Sequence, residues 1–92
     1  MNGTTTTRPD PAQWSAVVDT LVAERLELGM ALARARVELR EYPNGTVLIA
    51  RVHDDVAEAL REGRTGYTPL LIAACAAVGL VVHDVAYIEA TA

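Results

Sequence analysis

Apolar positions along this chain change period several times, and each change marks an element. Trp14, Val17, Val18, Leu21, Leu28 and Leu32 recur at helical spacing, with Asp19, Glu24 and Glu27 off the stripe. Asp10, Pro11 and Gln13 supply an N-cap, a first-turn proline and a capping-box side chain. Together they predict a main helix over residues 11–27 and a shorter piece over 28–35, bent at Gly29. Residues 1–9 are polar and read as a flexible tail, leaving 10–92 as one domain.

From Val37 the period drops to two, through Glu38, Leu39, Arg40 and Glu41. Tyr42-Pro43-Asn44-Gly45 follows as a turn, read as type I with Pro43 first and Gly45 left-handed. That turn pairs Tyr42 with Thr46 and Leu39 with Ile49, directing Val37, Leu39, Val47 and Ile49 to the core. Leu48, Ala50 and Val52 would then face away from it, leaving the strand apolar on both sides, as a central strand or one beside a protein interface would be. They are the candidate interface residues. Asp55-x-x-Glu58 opens the next helix, with Val56, Ala57 and Leu60 inward and Gly63 as a left-handed cap. Thr68-Pro69 starts another helix, Gly79 stops it, and residues 80–89 close as a strand. The expected fold is α+β, with helices on one face of a three-stranded sheet. Its order, α-β-β-α-α-β with a divided first helix, is that of a KH-like domain of type II.

Composition narrows the function. Of 92 residues 51% are hydrophobic, enough for a core without disulfide or metal. The net charge is −4 and all eight basic residues are arginines, which argues against strong binding to naked DNA or RNA. Cys75, the only cysteine, sits in an alanine-rich apolar run and reads as a small buried hydrophobe. The apolar stretch 70–82 is broken by Gly79 and too short for a bilayer, and the threonine-rich start lacks a signal-peptide core. These features point to a cytoplasmic protein with no membrane partner.

Two features invite chemistry. Gly63-Arg64-Thr65-Gly66 has the G-x-x-G spacing with which KH domains clamp a nucleic-acid backbone. Gly63, Arg64, Thr65 and Gly66, with Arg61 nearby, are therefore candidate nucleic-acid contacts, although Glu58 and Glu62 flank the same surface. His53-Asp54 and His83-Asp84 are paired His-Asp dyads. Two histidines without further ligands or a nucleophile turn fit capping and strand-end roles better than a metal or catalytic centre. No cofactor, metal or catalytic residue is expected.

Trp14-x-x-Val17-Val18-x-x-Leu21 resembles the opening helix of the C-terminal domain of bacterial DNA polymerase III tau/gamma subunits. The resemblance continues through Leu32-Ala33-Arg34-Ala35-Arg36-Val37, Gly45-Thr46-Val47-Leu48-Ile49 and Ala57-x-x-Leu60. It ends with Leu70-Leu71-x-x-Ala74-x-x-x-Val78-Gly79-Leu80 and the closing strand from Val82 to Tyr87. A similar KH-like layout occurs in the N-terminal domain of the initiator DnaA and in helicase-loading DciA proteins. The resemblance implies a non-enzymatic docking domain for a replication or nucleic-acid-processing protein. The alternative is a KH-type single-stranded nucleic-acid binder using Arg61 and Gly63 to Gly66.

Overall fold

The computed structural model describes residues 5–90. In chain order they form β1 (Thr5–Thr7), α1 (Pro11–Glu24), α2 (Leu26–Ala33), β2 (Arg36–Tyr42) and β3 (Gly45–Val52), then α3 (Asp54–Glu62), α4 (Arg64–Ala77) and β4 (Asp84–Glu89). The architecture is a small α+β domain with four helices and a four-stranded mixed sheet ordered β1-β2-β3-β4. The first two pairings are antiparallel, and β4 lies parallel to β3 through the α3–α4 crossover.

Asp10 caps α1 by accepting the Ala12 N–H at 2.8 Å, with Pro11 at the first helical position. The helical stripe then breaks at Arg25, whose backbone is extended, and not at Gly29. Gly29 serves a different need: a Cβ there would sit 2.5–2.8 Å from Val22, so glycine lets α2 close onto α1. Gly79 ends α4 at φ +86, with the Leu80 N–H on Cys75 O and the Gly79 N–H on Ala76 O.

The sheet differs from expectation in three ways. Thr5–Thr7, placed in a flexible tail, add a fourth strand on the edge of β2. The rest of that tail, residues 1–4, lies outside the described residues. The β2–β3 turn is Pro43-Asn44 alone, so Tyr42 pairs with Gly45, and Leu39 with Leu48 instead of Ile49. A slip of one residue exchanges the two faces of a strand. Leu48, Ala50 and Val52 are consequently core residues, exposed by at most 4%, and form no outer interface. Val47 and Ile49 take the other face and do not join that cluster, although Ile49 is itself buried, 4% exposed. Third, β4 begins at Asp84, four residues later than the apolar run suggested.

All four helices contribute to a single core. Val17 and Leu21 of α1, Leu28 and Leu32 of α2, Ala57 and Leu60 of α3, and Leu71, Ala74 and Cys75 of α4 pack with Leu48, Ala50, Val52, Val85 and Tyr87. Trp14 is half-buried against this cluster and donates its Nε1–H to Leu32 O at 3.3 Å.

Candidate functional site

The α3–α4 junction holds the residues singled out for nucleic-acid contact, and it is not a loop. Gly63 alone separates the helices; its carbonyl accepts from both Gly66 and Tyr67, so Arg64, Thr65 and Gly66 form the first turn of α4. Gly63 has φ −94, so it is no left-handed cap; its missing side chain makes room for Tyr67, whose ring lies 2.6 Å from where a Cβ would be. Thr68-Pro69, expected to start the helix, falls inside it. Pro69 carries no N–H for the Thr65 carbonyl, and the Thr68 hydroxyl instead meets the Tyr87 hydroxyl at 3.0 Å. Burial raises the Tyr87 pKa, partly offset by that hydrogen bond and by Arg64.

Arg61 and Arg64 turn towards β4. Arg61 Nε donates to Tyr87 O at 3.0 Å and its Nη2 meets Glu89 Oε2 at 2.7 Å. Arg64 Nη2 lies 2.9 Å from Asp84 Oδ1 and 3.3 Å from Val85 O. The Val85 N–H is taken by Asp84 Oδ1 at 2.8 Å. Val85 and Tyr87 are alternate residues of β4, so both arginines cap the carbonyls of its free edge. Glu89 is held below the usual carboxylate range, first by its hydrogen bond from Arg61. Of the expected cluster of residues 61 and 63–66, Arg61 and Arg64 are thus the ones that reach β4, each guanidinium engaged in a charge-assisted bond.

The histidines serve the backbone. His53 is the N-cap of α3, two residues before Asp55 where the opening was expected, and its Nδ1 accepts the Asp55 N–H at 3.4 Å. His83 Nδ1 accepts the Thr46 N–H at 3.0 Å while its own N–H donates to Thr46 O at 2.8 Å, extending the β3–β4 pairing. Among the described residues no three His, Cys, Asp or Glu side chains gather as a ligand set. Cys75 is buried and desolvation pushes its thiol up to about 11, which disfavours the reactive thiolate.

A surface that the sequence pattern did not mark lies between α2 and α3. Leu28, Ala31, Val56, Ala59, Leu60 and Tyr67 line a largely apolar groove of about 270 Å³, with the acidic residues Glu27 and Asp55 also in its lining. The Arg25 guanidinium lies 5.8 Å from the centre of the Tyr67 ring, beside this groove. On the same α2, Leu26 is 61% and Met30 51% exposed. Their spacing of four residues is the one sequence signal that a second apolar face existed. Among the described residues no helix is long and apolar enough to cross a membrane. No family model, curated protein or solved structure matches the chain.

Proposed function

We propose that this chain is a non-enzymatic docking domain whose partner is a protein segment folded as an amphipathic helix with basic flanks. The observation that carries this reading is the α2–α3 groove, lined mostly by apolar residues together with Glu27 and Asp55. Leu26 and Met30 are exposed on the same α2 but do not line the groove. An apolar helix face laid in such a groove removes hydrocarbon from water, and Lys or Arg beside it meets Glu27 and Asp55. Neither carboxylate makes an ion pair among the described residues. The engagement of both histidines with backbone N–H groups supports a non-catalytic role.

The same proposal includes a KH-like domain with an added first strand, supported by the α-α-β-β-α-α-β order after β1 and by the parallel β3–β4 pair. A link to DNA replication rests on the resemblance to tau/gamma C-terminal domains alone. Direct nucleic-acid binding at Gly63 to Gly66 is the weaker reading, because Arg61 and Arg64 already hold carboxylates and carbonyls.

Titrating the whole chain with a basic amphipathic helical peptide, followed by NMR at Ala31 and Ala59, tests the docking site. Saturable shifts at those residues, abolished by Ala59→Arg on the exposed part of α3, are expected. Shifts elsewhere only, or tight oligonucleotide binding at physiological salt abolished by Arg64→Glu, would replace this reading with the other.

A further inference from the structure

Beyond the groove, we propose a second site: the cleft between the β1–α1 connector and the outer edge of β2 binds an extended acidic peptide as an added strand. β1 pairs with β2 only at residues 39–41, whereas β2 begins at Arg36. Pro9 has no N–H and fixes its own φ, so the chain leaves the sheet there and turns into α1. Residues 36–38 are left with no strand on that side. Among the described residues no backbone hydrogen bond joins them to the connector. Alternate residues of an antiparallel strand turn both N–H and C=O to the same neighbour, so this stretch presents at least one unpaired donor and acceptor.

A cleft of about 460 Å³ adjoins that edge, lined by Arg8, Pro9 and Trp14 on one side and by Arg36, Val37 and Arg51 on the other. Its one carboxylate, Glu38, is already claimed: Arg51 Nη2 lies at 2.9 Å and Arg40 Nη2 at 3.7 Å from the same Oε1. Arg8 and Arg36 are exposed and make no ion pair among the described residues. Within a chain of net charge −4 this is a local excess of positive charge. The site therefore offers two things at once, a short open strand edge and guanidinium forks without carboxylates. An extended segment with acidic side chains on one face satisfies both. A nucleic acid meets only the charge. Trp14 is the one aromatic among the described residues that line the cleft, so a run of stacked bases has no series of platforms.

Trp14 is also the only tryptophan, which makes its emission a reporter of this cleft in the whole chain. The probe is an end-blocked hexapeptide alternating glutamate with valine. Its titration is expected to give a saturable change in emission and a shift of the Val37 amide, both weakened by salt. Arg8→Glu with Arg36→Glu is expected to weaken binding about tenfold or more, with the far-UV circular dichroism unchanged. Arg36→Gln alone gives a smaller loss, and keeps the test decisive if the double variant does not fold. A peptide of the same charge, N-methylated at alternate residues, is expected not to bind. Equal binding of the methylated peptide would overturn strand addition. So would tighter binding of a single-stranded oligonucleotide or inorganic phosphate, or no saturable signal up to about 1 mM peptide. The groove-directed helical peptide is scored at Ala31 and Ala59, so failure at either site is distinguishable from failure at the other.

Discussion

The two outer edges of the sheet use arginine in opposite ways. Along β4, Arg61 and Arg64 occupy the Tyr87 and Val85 carbonyls and pair with Glu89 and Asp84. Along the first residues of β2, Arg8 and Arg36 stand beside an open stretch of backbone and pair with no carboxylate among the described residues. On one edge arginines occupy two carbonyls and meet carboxylates, and on the other they stand at hand beside open backbone. Proximity to a glycine motif made Arg61 and Arg64 look functional. What separates the two pairs is the inventory of acceptors within reach: β4 brings its own carboxylates, and the start of β2 has one, already shared by two arginines. An edge strand with unpaired groups recruits a partner unless side chains block it.

The largest expected effect removes a wall of the open edge. Trp14→Ala deletes half-buried packing and the bond to Leu32 O, and is expected to cost about 3 kcal/mol in chemical denaturation. An unchanged midpoint would mean that α1 is not anchored there. Next, Gly63→Ala drives a methyl group into the Tyr67 ring and is expected to cost about 1–3 kcal/mol, disturbing the turn that aims Arg64 at β4. Arg64→Glu breaks an exposed pair with Asp84 and is expected to cost roughly 0.5–1 kcal/mol, with a smaller loss in high salt. At the open edge, Arg8→Ala and Arg36→Ala are each expected to change stability by no more than about 0.5 kcal/mol, since neither makes an ion pair among the described residues. A larger loss there would erase the contrast between the edges.

Acid sharpens the same comparison. The folded Glu89 carboxyl titrates below its unfolded value, so its bond to Arg61 stabilises the fold above that value and is lost as pH falls through the lowered one. Glu89→Gln is therefore expected to flatten the acid limb of a stability–pH profile, whereas Arg8→Ala and Arg36→Ala leave it unchanged.

Local signals with one physical meaning were legible in the sequence. Asp10-Pro11 could only open a helix, Gly79 could only close one, and the stripe from Trp14 to Leu32 had to face a core. Signals with two meanings misled. Gly29 fits a bend or a close approach, and the approach to Val22 is the one realised. Tyr42-Pro43-Asn44-Gly45 fits a two- or a three-residue connection, and that single residue decides whether Leu48, Ala50 and Val52 are core or surface. Thr5–Thr7 lack apolar alternation, so their strand depends on the edge that receives them. The arginine partners were illegible for a similar reason. Arg61 lies 26 residues from Tyr87 and Arg64 lies 20 from Asp84, so only the crossover brings them together.

That crossover also sets an order of assembly. β3 meets β2 across two turn residues, a closure of the kind that hairpins complete in about 1–10 μs. It meets β4 only after both α3 and α4 have been spanned, and the entropy of that larger loop is lost before any contact compensates for it. The hairpin is therefore expected to form early in folding and the parallel rung late. During that interval the β3 edge awaiting β4 is unpaired, and a neighbouring nascent chain competes for it. Refolding yield is expected to fall with protein concentration even though arginines occupy the finished β4 edge at Val85 O and Tyr87 O.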